Sequence, residues 1–263
     1  YHIMKKLIVI LSLFPFLCEA QILKKDIPDK MVVLTFDDAP ASHYSVVAPL
    51  LQQYGFDATF FVCEFPPNYA DSTKYMNWRQ IQELGNMGFE VANHTRSHAG
   101  IAKLSKEEFI NQLEYIEQKC DSLGVGIPHT FAYPGYSLNE QAFDVLSGKG
   151  YIFARAGGSR AYDPLKDHPY LLPSWATDGG NRLQILEALN EAKDGNIVIL
   201  TFHGVPDLEH PWVDTPLELF KEYLQYLSDN QFKVIALRDL ENYIDAVKAR
   251  ELIEPDFTKP LKN

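Results

Sequence analysis

The chain has 263 residues, 46% hydrophobic and 22% charged, with a formal net charge of −11. That is globular composition with enough length to bury a full core, either as one large α/β domain or as two smaller ones. The carboxylate excess argues against nucleic acid and strongly anionic polysaccharide as partners, because like charges repel; neutral or amino-bearing substrates suit it better.

Met4, Lys5 and Lys6 begin a short basic region, and residues 7–17 form an apolar run of signal-sequence length. Small residues at Cys18 and Ala20 predict cleavage after Ala20, so residues 1–20 are expected to be an export signal and the mature protein to be periplasmic or extracellular. A membrane anchor would need about 20 apolar residues. Lipid attachment at Cys18 would want a small residue where Leu17 stands. No other stretch is long and apolar enough to span a membrane. Cys63 and Cys120 remain; Cys120 falls on the apolar face of an expected helix, which favours a buried free thiol.

From residue 31, short apolar runs alternate with helical patterns. Strands are predicted at 31–36, 58–63, 89–93, 130–133, 151–154, 170–175, 196–202 and 233–237. Continuous apolar runs suggest parallel strands covered on both faces. Ser105 and Glu108 form a capping box for a helix whose stripe is Phe109, Leu113, Ile116, Cys120 and Leu123. Thr215-Pro216 opens another helix, and further helices fit 46–54, 78–87, 139–146, 182–192 and 239–248. Eight strand–helix units predict a single-domain distorted (β/α) barrel over residues 21–250, with 251–263 as an irregular tail.

Three strands end in polar residues: Thr35-Phe36-Asp37-Asp38, then His94 with His98, then Phe202-His203. Each alone has a plain structural reading: a turn, two surface histidines, a hydrogen-bonded core histidine. Together they sit where barrel sites form, at the C-terminal ends of strands. One carboxylate and two imidazoles suit Zn²⁺ and leave a coordination position for water. The remaining carboxylate and histidine match the base and acid that amide hydrolysis needs.

These motifs, in this order and spacing, resemble the polysaccharide deacetylases of the NodB-homology type, carbohydrate esterase family four, over roughly residues 30–240. The resemblance implies hydrolytic removal of acetyl groups from chitin-like, peptidoglycan or xylan-type sugars. It implies Asp37 as base, His203 as acid, and Asp38, His94 and His98 as ligands to one divalent metal, with Zn²⁺ the default and Co²⁺, Ni²⁺ or Mn²⁺ as alternatives. Tyr133, Pro134 and Gly135 resemble the groove-lining third motif, where a backbone N–H after Pro134 would face the oxyanion. Trp175 resembles the groove-wall tryptophan.

Two positions depart from the family. Ala132 stands where an arginine is usual, and Ser174 where an aspartate pairs with it. Losing both members avoids an unpaired buried charge, and Arg155 is expected to supply a replacement cation that tunes the base. An O-acetyl esterase, and a non-catalytic carbohydrate-binding protein on the same scaffold, are the competing functions. Peptidoglycan, chitin-like polymer and poly-N-acetylglucosamine are all substrates that the N-deacetylase reading allows.

Overall fold

The computed structural model describes residues 22–263, so the expected export signal lies outside the described residues. Eight parallel-paired strands form one curled sheet in the order β5-β4-β3-β2-β1-β7-β6, with β8 also on β1. They are β1 Met31–Phe36, β2 Thr59–Val62, β3 Glu90–Asn93, β4 Thr130–Ala132, β5 Phe153–Arg155, β6 Trp175–Ala176, β7 Val198–Phe202 and β8 Lys233–Ile235. β1 is central: it pairs with β7 on one edge, while Met31–Val33 pair with β8 and Thr35–Phe36 with β2.

Side chains alternate across these strands, and the alternation sorts the core into layers. Val32, Leu34 and Phe36 join Val198, Leu200 and Phe202 against helices, while Met31, Val33, Ile197 and Ile199 face the interior of the curl with Phe61, Ala92, Ala132 and Phe153. On the outer layer Phe36 stacks between Phe60 and Phe202, each 5.1 Å away, and meets Phe220 edge-on. Burying rings of this size contributes about 2–3 kcal/mol each. Because Phe36 faces out, Asp37 continues the inward row at the strand's end.

Most helices follow their sequence signals. Ser105 and Glu108 make the reciprocal capping box of Lys106–Ser122, and Phe109, Leu113, Ile116 and Cys120 are its buried stripe. Asn77 and Gln80 cap Trp78–Asn86 in the same manner. Cys63 and Cys120 are both buried free thiols.

Three expectations need correction. The sixth strand does not run over 170–175: Pro173 has no N–H for a ladder, so pairing splits into a single parallel bridge of Leu172 to Arg155 and the short β6. The helix expected at 239–248 is divided into a 3₁₀ turn at Leu237–Asn242 and a new helix at Ala246–Leu252. Pairing of Ile22, Leu23 and Lys24 with residues 243–245 interrupts it, and Asp245 caps the restart. Thr215 does not cap Leu217–Asp229; its hydroxyl meets Thr177 Oγ1 at 2.9 Å. No described helix is long and apolar enough to cross a membrane.

Candidate active site

The C-terminal ends of β1, β3 and β7 bring Asp37, Asp38, His94, His98 and His203 to one cavity of about 470 Å³. The backbone there is held in unusual conformations: φ is +74° at Asp38, +61° at Thr95 and +52° at His98. Non-glycine residues take such angles at a cost of about 1–3 kcal/mol each, which surrounding contacts must offset. Asn93 supplies part of that support. Its side chain accepts from Thr95 N–H and donates to Leu113 O and Tyr151 Oη, while Thr95 Oγ1 accepts from Ala99 N–H.

His94 and His98 each bring Nε2 to 3.3 Å from Asp38 Oδ1. His94 Nδ1 must donate to the Ala132 carbonyl at 2.8 Å, because a carbonyl only accepts. In the neutral ring, Nε2 therefore presents a lone pair to a carboxylate oxygen that is buried with no hydrogen-bond partner among the described residues. Such convergence of lone pairs is stabilised by a cation between them. The three donor atoms lie within 4.8 Å of one another, and a carboxylate with two imidazoles is a suitable set for a divalent transition metal.

Burial works against the Asp38 carboxylate, but the His94 contact and the nearby His98 and His203 outweigh it and hold the group well below the usual carboxylate range. Burial pushes His98 down to about 4, helped by neighbouring His94 and His203. At His94 burial opposes the charged ring, yet Asp37 and Asp38 outweigh it and the net direction is upward.

Arg155 is fully buried, with Nη2 2.5 Å from Asp37 Oδ2 and Nη1 2.9 Å from Thr201 Oγ1. Thr201 Oγ1 in turn donates to Ser174 Oγ at 2.9 Å, which donates to Ala156 O. Arg155, Asp37 and Thr201 all occupy inward positions at the end of their strands, so one polar layer caps the apolar interior. Ala132 faces the same interior from β4. The Tyr136 ring covers the guanidinium, with its centroid 5.9 Å from Cζ.

His203 Nε2 lies 3.9 Å from Asp38 Oδ2. Its backbone is fixed from behind by His43, whose Nε2 donates to His203 O at 2.8 Å. His43 is a support buried against Phe36 and Phe60.

Tyr133 and Gly135 line the cavity, and Pro134 is buried beneath the turn. The N–H groups of Tyr136 and Ser137 are taken by Tyr133 O and Pro134 O, which leaves Gly135 N–H as the available donor. Trp175 lies elsewhere. Ala176 lines the cavity, so by strand alternation Trp175 points the other way, onto the outer core. The exposed aromatic of the rim is Trp212, which meets His210 at 5.4 Å; His210 meets Phe65 at 4.8 Å and Phe65 meets His98 at 4.7 Å. Phe65, Asp178, Asn181 and Asn263, which no sequence motif marks, also line the cavity, beside the loop that carries His210 and Trp212. Asp207 organises the loop by accepting from Gly204, Glu209 and His210 N–H groups. Its position three residues before His210 was the one available signal.

The sequence matches the polysaccharide deacetylase family over residues 24–154, which takes in Asp37-Asp38, His94, His98 and the Tyr133-Pro134-Gly135 turn. The chain belongs to the polysaccharide deacetylase family. It is 26% identical over 176 residues to a bifunctional xylanase/deacetylase of Pseudobutyrivibrio xylanivorans, covering 65% of this chain and 25% of that protein. It is 30% identical over 125 residues to a chitin deacetylase of a Pestalotiopsis species, covering 45% and 38%. A peptidoglycan-N-acetylglucosamine deacetylase of Bacillus cereus is 29% identical over 173 residues, covering 65% and 72%. The chain thus spans about a quarter and under two fifths of the first two relatives. Among solved structures, the CE4 domain of a multidomain xylanase from the hindgut metagenome of Trinervitermes trinervoides superposes with TM-score 0.58 at 22% identity, covering 82% and 91%. The Bc1960 peptidoglycan N-acetylglucosamine deacetylase gives 0.58 at 18%, covering 81% and 88%. These likenesses establish the curled parallel sheet of the family.

Proposed function

We propose that this family member is a metal-dependent deacetylase that removes N-acetyl groups from an acetylated oligo- or polysaccharide. One observation carries the reading: a buried carboxylate and two imidazoles converge on one point, beside a second carboxylate that Arg155 holds through one oxygen. A divalent cation held by Asp38, His94 and His98, Zn²⁺ by default with Co²⁺, Ni²⁺ or Mn²⁺ as alternatives, would polarise the acetyl carbonyl and lower the pKa of water.

The chain's own groups supply the rest. Arg155 orients the Asp37 carboxylate through Oδ2, and that carboxylate accepts the proton of the attacking water. Gly135 N–H is the donor for the oxyanion that develops on the acetyl oxygen. His203, steadied through its carbonyl by His43, gives a proton to the departing sugar amine. Tyr133 and Pro134 shape the turn that carries Gly135. Away from Asp37, Asp38, Asp178 and the histidines, the cavity-lining side chains are neutral, which suits an uncharged sugar.

Removal of O-acetyl groups from a xylan-type polymer is the second reading, favoured by similarity to a xylanase/deacetylase. The Ala132 and Ser174 departures would favour a non-catalytic binding protein, but Arg155 fills the charge they leave out. Substrates of either kind accord with the export expected from residues 1–20. Acetate release would be measured on acetylated chitooligosaccharide, peptidoglycan, poly-β-1,6-N-acetylglucosamine and acetylxylan, with and without chelator. Chelator-sensitive release from an N-acetylated polymer is expected; no release from any of the four overturns the reading.

A further inference from the structure

Residues 257–263 are built into the site. Phe257 stacks on Phe143 with centroids 5.7 Å apart, and Lys259 Nζ pairs with the buried Asp167 at 2.8 Å. Gly157 N–H donates to Leu261 O at 3.0 Å. The segment lies so close over Gly157 and Gly158 that a Cβ would come within 2.9 Å of Asn263 N at the first and 2.2 Å of Pro260 O at the second. Side chains are excluded there, so the close fit depends on two adjacent glycines.

This fit delivers Asn263 to the cavity wall. Its Oδ1 accepts from Gly158 N–H, Ser159 N–H and Ser159 Oγ at 2.8–2.9 Å. Three donors on one oxygen fix which end of the amide is which. Nδ2 must then donate, and one of its hydrogens goes to Tyr136 Oη at 2.8 Å. The other is left for a ligand in the cavity that Asn263, Ser159 and Tyr136 line together.

We propose that residues 257–263 form a specificity wall of the groove, with Asn263 donating an amide hydrogen to a hydroxyl or acetamido oxygen of the bound sugar chain. The inference rests on the deacetylase reading and names a substrate contact for it. A wall docked on Gly157 and Gly158 also bounds the sugar on the side of β5.

The test uses the full chain, loaded with zinc, and N-acetylated chitotetraose. Asn263→Ala is expected to raise KM about fivefold, the loss of one neutral hydrogen bond, with kcat changed far less. Asn263→Asp keeps acceptors for Gly158 and Ser159 but has no N–H to give; it should raise KM equally while holding the wild-type melting temperature. Gly157→Val, which touches no substrate, should raise KM by displacing the wall. If the wild type releases acetate and all three variants keep its KM, the wall is overturned and the deacetylase reading stands. If the wild type releases no acetate from any of the four polymers, the deacetylase reading falls and this inference with it.

Discussion

Arg155 Nη2 stands 2.5 Å from Asp37 Oδ2 in a setting where both side chains are almost wholly shielded from water. The pair joins the ends of β5 and β1 across the mouth of the curled sheet. Removing one member leaves the other charged and unpaired, a loss of about 3–5 kcal/mol. Arg155→Ala should therefore lower stability by that order and alter the pH–rate profile; an unchanged profile in a folded variant rules out the tuning role.

Replacing Asp38, His94 or His98 by Ala should abolish retention of zinc, while Asp37→Ala should retain it and lose turnover by about 10²–10⁴-fold. Metal content by plasma mass spectrometry, paired with acetate release, checks the assignment. Full occupancy in His94→Ala would refute it.

An amide needs its leaving group protonated more than an ester does. His203→Ala should cut turnover of an N-acetylated sugar by about 10²–10⁴-fold and that of an O-acetylated sugar much less. Equal losses on both would separate His203 from leaving-group protonation.

Trp212 is 72% exposed at the rim of the cavity. Its flat face suits the apolar face of a pyranose ring. Trp212→Ala should raise KM by about fivefold, roughly 1 kcal/mol, with little change in kcat. An unmoved KM on all oligosaccharides would leave the ring without that role.

Burial pushes His43 from its ordinary 6.5 down to about 4. As pH falls the unfolded chain binds this proton first, so stability complete above 6.5 is lost progressively toward pH 4. Between pH 7.5 and 5 the loss from this residue is about 2 kcal/mol. Denaturant unfolding at both values should show a smaller drop in His43→Gln, which keeps a donor for His203 O but takes up no proton.

Much of this site was legible because strand ends are legible. Asp37, Asp38, His94, His98 and His203 each follow an apolar β run, and parallel strands in one sheet carry such residues to the same edge. Arg155 could be read for the same reason, since it ends β5 two positions after inward-facing Phe153. Trp175 was misread by a single position: with Pro173 breaking the ladder, the inward row passes through Ala176. Trp212 and Asn263 were hidden for a different cause. They reach the cavity through a loop tied by Asp207 and a segment seated on Gly157 and Gly158, contacts between residues far apart in sequence that leave no periodic trace.

The Arg155, Thr201 and Ser174 layer also bears on which sequences can be reached from this one. Adding the arginine usual in the family at Ala132 would put a second guanidinium in the interior with no new anion to face it. Changing Ser174 alone to aspartate would set two carboxylates on one cation. Either single step crosses an electrostatic penalty of several kcal/mol. Two arrangements of the same charges are therefore separated by coordinated replacement at three positions, Ala132, Arg155 and Ser174, and lineages on either side of that divide should keep to their own solution.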